Sequence, residues 1–319
     1  MKASVFTQYG GPDVLHYTDM PDPEPQPDEV VVDVYAASVN GADHKVRRGD
    51  PGHPVEFPHI LGRDFSGVVS ARGPNVRDIA VGDSVFGVLD RGKEGAYAEK
   101  VATKAAIIAR KPEWLAHVDA AALGLAALTA LWAIEDTARL KTGETILIHG
   151  GAGGVAGLAI QLAHHLGAKV ITTASPVNHA YVRSLGADKV IDYTSQDFTQ
   201  GTELCDVVFD TVGGDTHVRS YDVLKPAGRL VWIAPPPDGF VPPRQDVVSE
   251  RPAVLRDRAH LERLKDLLES GGLSAPPIRR FTLAQAPAAH RISESRHLHG
   301  KLVFQVSSST PAPAERLKG

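Results

Sequence analysis

TILIHGGAGGVAG, residues 145–157, is the stretch that decides the fold of this chain. Its first five residues form an apolar run, as expected for a strand buried on both faces of a parallel sheet. The glycines satisfy G-x-G-x-x-A from Gly151 to Ala156, and a helix pattern continues over 155–166. Such glycines allow a tight turn and close backbone approach to a pyrophosphate, which the helix N-terminus attracts. The context favours a dinucleotide-binding turn over a glycine-rich turn without a ligand.

Apolar runs alternate with helical patterns beyond this turn. The spacing predicts helices over 178–185 and near 216–224, and further strands at 169–173, 189–191, 206–210 and 229–233. Strand–helix alternation of this kind predicts an α/β fold with a doubly wound parallel sheet.

The flanking regions have a different pattern. Residues 1 to about 115 are predicted to be β-rich, with strands at 30–35, 65–69 and 83–88 separated by Gly, Pro and Asp. After three prolines at 235–237, the pattern predicts a helix at 259–270, a strand near 278–281, a short helix near 286–294 and a last strand at 301–306. The predicted divisions are a β-rich domain over 1–117, a nucleotide domain over 118–258, a return to the first domain over 259–306 and a disordered tail over 307–319.

Composition excludes several classes of protein. The formal net charge of −4 and the pI near 6.4 argue against nucleic acid or an anionic membrane as a main partner, since either needs a concentrated basic face. Cys205 is the sole cysteine, so neither an intramolecular disulfide nor a four-cysteine zinc site can form. The first residues lack a signal-peptide pattern, and the apolar stretch 120–134 is too short and too rich in small residues for a membrane span. The expected location is the cytoplasm.

The end of the second predicted strand indicates the type of cofactor. NAD sites place an Asp or Glu there for the ribose hydroxyls, whereas this chain has Thr173, Ala174 and Ser175. His179 and Arg183 follow, and a hydroxyl with cationic groups suits a 2′-phosphate, although both could be ordinary surface residues. The sequence therefore favours NADP(H).

Short blocks along the chain carry a family resemblance. They are ASVNGADHKVRRG (37–49), LGRDFSGVV (61–69), VGDSVFG (81–87), GAYAE (95–99), AAAL (120–123), LTA (128–130), LGAD (185–188), DTVGG (210–214) and GKLV (300–303). In this order, and with the glycine turn, they resemble the zinc-free quinone oxidoreductase branch of the medium-chain dehydrogenase/reductase superfamily. The resemblance implies a chaperonin-10-like catalytic domain, a Rossmann domain and an active site in the cleft between them. Gly124 departs from the family, which commonly has Pro there, and we expect a slightly looser turn.

The resemblance also bears on metal binding. Zinc-dependent relatives carry a Cys and a His where this chain has Asn40 and Arg63. An arginine cannot be deprotonated in a protein and cannot ligate zinc. We therefore expect no metal site.

Without a metal, another group must stabilise the charge that hydride transfer places on the acceptor oxygen. Asn40 resembles the family's cleft asparagine and could donate from its amide, or it could hold a loop carbonyl. Lys45 could donate a proton or remain solvated. Arg63 could hold substrate or pair with Asp64. Asp43 and Asp64 are expected to be structural.

The candidate cofactor contacts come from the glycine turn, the strand ends and the family blocks. Val212, Gly213 and Ala234 follow predicted strands, whose carboxyl ends line the ligand crevice in such sheets. The full set is Thr129, Gly151, Gly153, Gly154, Val155, Ser175, His179, Arg183, Tyr193, Val212, Gly213, Ala234 and Lys301.

Three functions remain open at this level. The leading hypothesis is NADPH-dependent reduction of a quinone or a similar activated acceptor, and reduction of an enone or alkenal double bond is the close alternative. A non-catalytic NADPH-binding sensor or structural protein is a third, because a fold does not guarantee chemistry. The resemblance further implies a homodimer, for which Val247 and Val248 could supply a sheet edge.

Overall fold

A computed structural model describes residues 1–295 and 298–306 of the chain, and these divide into two compact units. The β-rich unit comprises residues 1–124, 278–295 and 302–306, and the Rossmann unit comprises 125–277 and 298–301. The predicted disordered tail, 307–319, lies outside the described residues.

These divisions differ from the predicted boundaries at 117 and 258. The predicted return to the first domain begins at residue 278 and not at 259, because the helix Arg258–Glu269 belongs to the Rossmann unit. Within that unit His260 stacks on Trp132 at 4.5 Å between ring centroids, and Arg263 pairs with Glu135 at 2.8 Å. The earlier boundary falls within a helix, at Gly124.

The β-rich unit contains two antiparallel sheets. Its strands are β1 (Lys2–Phe6), β2 (His16–Asp19), β3 (Glu29–Ser38), β4 (His59–Ile60), β5 (Asp64–Arg72), β6 (Ser84–Val88), β7 (Lys100–Lys104) and β8 (Ile108–Arg110). Two later strands, β15 (Ile278–Phe281) and β16 (Lys301–Gln305), join the larger sheet in the order β15-β16-β3-β5-β6-β8, where β7 also pairs with β3. The smaller sheet has the order β2-β1-β4. Because β3 is buried along most of its length, it forms the centre of this unit.

The Rossmann unit contains one parallel sheet. Its strands are β9 (Thr145–Ile148), β10 (Lys169–Ala174), β11 (Lys189–Asp192), β12 (Cys205–Asp210), β13 (Leu224–Trp232) and β14 (Val248–Glu250). All neighbouring strands are parallel, in the order β11-β10-β9-β12-β13-β14. The chain adds strands on one side of β9 up to β11 and on the other side from β12 onwards, which is the arrangement of dinucleotide-binding sheets. The predicted doubly wound α/β fold is confirmed.

Helices of the chain agree with the prediction in most places. They are α1 (Gly41–Arg48), α2 (His117–Leu131), α3 (Gly154–His165), α4 (His179–Ser184), α5 (Asp215–Arg219), α6 (Arg258–Glu269) and α7 (Ala286–Glu294). The helix predicted near 216–224 is shorter, because the chain tightens into a 3-10 turn over Ser220–Val223 before β13 begins. Helices α1 and α2 were not predicted.

Helix α2 continues into a π-helical turn and contains a kink. His117–Thr137 is long and apolar enough to cross a membrane, but 78% of its most apolar window is buried within the protein, as in the core helix of a globular protein. The kink is at Gly124, where a Cβ atom would lie 2.7 Å from Asp64 Oδ1. This glycine therefore does more than loosen a turn, because no other residue allows so close an approach.

Candidate active site

The glycine turn packs tightly against the neighbouring strand. Gly151 N donates to Thr173 O at 2.9 Å, and a Cβ atom on Gly151 would lie 2.3 Å from Thr172 Oγ1. Helix α3 begins at Gly154, and the N–H groups of its first turn, which includes Val155, have no partner within the helix. Backbone donors at the start of a twelve-residue helix fit a pyrophosphate, so the turn suits a dinucleotide.

A second loop lies beside this turn at the carboxyl end of β12. The Asp210 carboxylate accepts hydrogen bonds from the N–H groups of Val212 and Gly213, each at 2.9 Å. A Cβ atom on Gly150 would lie 3.4 Å from Val212, and one on Gly213 would lie 2.9 Å from Ala234. The predicted residues Val212, Gly213 and Ala234 are therefore brought together at the point where the strand order reverses.

Lys301 also reaches the glycine turn. Gly153 and Gly300 form a parallel bridge, and a Cβ atom on Gly154 would lie 2.9 Å from Lys301 Cδ. Thr129 is buried, and its hydroxyl donates to Leu125 O at 2.6 Å, so its hydrogen is committed within helix α2.

Ser175, His179 and Tyr193 lie just beyond the carboxyl ends of β10 and β11. Asn178, which was not predicted, donates to Ser175 Oγ at 3.0 Å, and His179 Nε2 lies 3.2 Å from Ala174 O. Residues 173–175 include no acid, which favours NADP(H) over NAD(H).

Arg183 lies apart from this group, and its predicted contact with a 2′-phosphate stays a prediction. It lies near the end of α4 and lines a groove with Gln161, Asp188 and Gly271. Helix α4 runs back towards the amino ends of the strands, and this direction carries Arg183 away from Ser175. The spacing of residues in the sequence does not reveal the direction in which α4 runs.

In the β-rich unit, Asn40 is held at both its side chain and its backbone. Its Nδ2 donates to Asp64 Oδ2 at 2.8 Å, and its backbone N–H donates to Asp43 Oδ2 at 2.8 Å. Asn40 and Asp43 form a capping box at the start of α1. Asp64 also accepts from Ser38 Oγ at 2.5 Å. These contacts agree with the structural roles expected for both aspartates.

Arg63 forms its ion pair with Glu94 and not with Asp64. Its Nε and Nη2 donate to Glu94 Oε1 at 3.0 and 2.7 Å, so the predicted pair with Asp64 is wrong. Gly92 N donates to the same oxygen at 3.2 Å, and the turn thereby holds Glu94 in place. Glu94 stands 31 residues from Arg63 and no local pattern marks it, so sequence reasoning missed it.

A buried acid lies beneath α1. Tyr97 Oη donates to Asp43 Oδ2 at 2.7 Å, and both side chains are fully buried. Burial raises the pKa of Asp43 to about 6, although hydrogen bonds from Tyr97 and Asn40 oppose the shift. Burial and the adjacent Asp43 raise the pKa of Tyr97 well above its usual value. This hydrogen bond therefore joins a carboxyl group that titrates near pH 6 to a phenol that stays neutral.

Lys45 lies on α1 and is partly exposed. Its ammonium group makes no hydrogen bond or ion pair with the residues that the structure describes. Within residues 1–295 and 298–306, no group of three or more His, Cys, Asp or Glu side chains is arranged to hold a metal ion.

Comparisons with known proteins agree with this geometry. An alcohol dehydrogenase GroES-like domain model matches residues 26–113, and a zinc-binding dehydrogenase model matches residues 185–304. A chloroplastic NADPH-dependent alkenal/one oxidoreductase of Arabidopsis thaliana is 35% identical over 95% of this chain and 79% of its own length.

Two solved structures share the whole fold. The quinone oxidoreductase from Coxiella burnetii superposes with a TM-score of 0.89 and 37% identity, covering 96% of this chain and 99% of its own. The Escherichia coli quinone oxidoreductase complexed with NADPH has a TM-score of 0.86 and 29% identity, covering 96% and 100%. The chain belongs to the quinone oxidoreductase branch of the medium-chain dehydrogenase/reductase superfamily.

Proposed function

We propose that this chain is an NADPH-dependent oxidoreductase that transfers hydride to a quinone or a similarly activated small acceptor. The observation that carries the proposal is the glycine turn at the start of α3, joined by the loop at Val212 and Gly213 and by Lys301. The missing acid at 173–175 supports NADPH over NADH. The NADPH-bound E. coli relative supports the same cofactor.

The residues of the β-rich unit have distinct roles in this proposal. NADPH supplies the hydride when it is bound. The Asn40 amide donates to the acceptor oxygen as negative charge develops there, which stabilises the transition state more than the ground state. Asp64 holds that amide by its nitrogen, so the orientation of Asn40 is fixed before the acceptor binds. Lys45 is the candidate proton donor.

Reduction of an enone or alkenal double bond is the second candidate. It is favoured by the alkenal/one oxidoreductase of Arabidopsis, whose likeness extends over nearly the whole chain. The same donor at Asn40 would stabilise the enolate oxygen that forms when hydride reaches the β-carbon.

Oxidation of NADPH, followed by its absorbance with a panel of quinones and enones, tests the proposal. We expect turnover with at least one acceptor class and a lower KM for NADPH than for NADH. Tight NADPH binding with no acceptor reduced would instead support the non-catalytic sensor or structural protein.

Three further expectations accompany the proposal. A homodimer is supported by β14, an exposed edge strand of the Rossmann sheet that includes Val248, and sedimentation as a monomer at micromolar concentration would refute it. Zinc independence follows from Asn40 and Arg63 at the ligand positions of zinc relatives, and loss of activity to a chelator would contradict it. A cytoplasmic location stays a prediction.

A further inference from the structure

Arg63 uses only one side of its guanidinium group. Its Nε and Nη2 both donate to a single oxygen, Glu94 Oε1, at 3.0 and 2.7 Å. A guanidinium carries five N–H donors, of which this contact takes two. The other donors of Arg63 have no partner among the described residues, although its side chain is only 6% exposed.

The unused donors form a fork. One N–H on each terminal nitrogen lies along the end of the guanidinium, and two parallel donors of this kind match the two oxygens of a carboxylate. Glu94 Oε2 and His59 Nε2 are fully buried without a hydrogen-bond partner, whereas Arg63 Nη1 is not among such atoms, so this nitrogen of the fork reaches accessible space.

The backbone holds Arg63 rigidly. Leu89 N donates to Arg63 O at 2.9 Å, and Gly95 N donates to Gly62 O at 3.0 Å. Arg63 therefore lies on a fixed framework, and the preorganised fork loses little entropy when a ligand binds.

The surrounding charges favour an anion. Burial lowers the pKa of His53, and the positive charges of Arg91, Arg63 and Lys45 lower it further, so three cations act on that ring, while Arg63 also acts on the buried Asp43. Glu94 offsets one of these charges, but its Oε1 is already directed at the other side of Arg63.

We propose that the end of the Arg63 guanidinium binds the carboxylate of an acceptor, so that the preferred substrates are unsaturated ketones or acids that carry a carboxylate beside the reducible bond. This inference rests on the proposed function for its chemistry. Arg63 is then a specificity-determining residue, and Glu94 is the residue that positions it.

The kinetic test compares 4-oxo-2-pentenoate with its methyl ester, which has no charge and is intrinsically the more reactive acceptor, so a preference for the acid has to come from the protein. We expect the native enzyme to have a kcat/KM about tenfold higher for the acid, as one charge-assisted pair allows. Arg63→Lys should lower the acid-to-ester ratio, because a lysine lacks the fork. Glu94→Gln should raise the ratio, because it removes the opposing charge. Arg110→Gln, which changes an exposed arginine paired with Asp83, should leave the ratio unchanged.

The ratio is independent of how much protein folds, which matters because a lone buried Glu94 is destabilising. The double variant Arg63→Gln/Glu94→Gln removes both charges, and we expect it to lose the preference for the acid. A ratio near one in the native enzyme, or a ratio that Arg63→Lys and Glu94→Gln leave unchanged, would overturn the inference.

A binding test separates this inference from the proposed function. Calorimetric titration with levulinate and its methyl ester, which lack the reducible bond, requires no turnover. We expect levulinate to bind the NADPH-loaded protein about tenfold more tightly than the ester, and Arg63→Lys to remove the difference. Carboxylate binding without NADPH oxidation would refute only the proposed function, whereas oxidation with equal binding of acid and ester would refute only the carboxylate site.

Discussion

The candidate cofactor site and the candidate acceptor site of this chain differ in the kind of group that forms them. The Rossmann unit provides backbone N–H groups and glycines, in a turn that lies so close to β10 that a Cβ atom on Gly151 would be 2.3 Å from Thr172. The β-rich unit provides side chains that are held by buried carboxylates, namely Asn40 on Asp64 and Arg63 on Glu94. A site made of backbone is damaged when an atom is added, whereas a site made of side chains is damaged when a donor or a charge is removed.

The largest expected effect comes from adding one carbon to the backbone site. Gly151→Ala should abolish measurable NADPH binding and lower the free energy of unfolding by about 3 kcal/mol, because overpacking of this kind costs that much. Urea unfolding and fluorescence titration with NADPH measure both. Gly11→Ala is the matched control, because no atom lies within 4 Å of a Cβ there. Normal NADPH affinity in Gly151→Ala would show that the turn can accommodate a Cβ atom, and it would contradict the close contact with Thr172.

Next in size is the pH dependence of the β-rich unit. Burial raises the pKa of Asp43 to about 6 in the folded state, so the folded protein binds this proton more tightly than the unfolded chain. The contribution of Asp43 to the free energy of unfolding therefore falls as pH rises, by about 2 kcal/mol between pH 4.5 and 6.5. Unfolding of the native protein and of Asp43→Asn at both pH values isolates this effect.

The matched variant is needed because buried histidines titrate in the same range with the opposite sign. Burial lowers the pKa of His44 and of His149 to about 4, which makes the fold more stable as pH rises. A stability difference between the native protein and Asp43→Asn that does not change with pH would contradict the raised pKa.

Removing the donor from the side-chain site should have a smaller effect. Asn40 begins α1 as well as donating to Asp64, so alanine would also cost the helix its cap. Asn40→Ser keeps a capping oxygen and loses the amide. We expect turnover about tenfold lower, less than the 10²–10³ typical of one lost oxyanion donor, because a quinone is already a strong acceptor. Steady-state kinetics with several acceptors, alongside thermal unfolding, measure this, and full turnover would remove Asn40 from the chemistry.

The smallest effect concerns an ion-pair cluster in the Rossmann unit. Burial opposes protonation of His260, but hydrogen bonds to Asp257 and Asp136 raise its pKa overall. Its stabilising contribution is therefore complete below pH 6.5 and is lost as pH rises through the folded pKa. Because the ring is partly exposed, His260→Gln should cost less than about 1 kcal/mol more at pH 6 than at pH 9, where only the stacking on Trp132 is lost. His16→Gln, on the exposed strand β2, is the control, and an equal loss at both pH values would contradict the pairing.

The Rossmann unit could be predicted from the sequence more fully than the side-chain contacts of the β-rich unit. The alternation of strands and helices and the glycine turn follow from short-range patterns, since a strand and its helix lie within about 30 residues of the next strand. The partners of Arg63 and Asp43 do not, because Glu94 and Tyr97 reach them across 31 and 54 residues through the pairing of the sheet. Arg183 is a related case, since its spacing from Ser175 suggested a phosphate contact but does not include the direction of α4, which places Arg183 beside a different groove.

Cofactor binding is thus assigned to the backbone turn, and acceptor chemistry to the side-chain site. Fluorescence titration with NADPH of Gly151→Ala and Asn40→Ser, each compared with the native protein, tests this division most directly. We expect Gly151→Ala to lose NADPH binding, whereas Asn40→Ser should bind NADPH with native affinity and have about tenfold lower turnover. Native affinity in Gly151→Ala, or lost affinity in a folded Asn40→Ser, would contradict it.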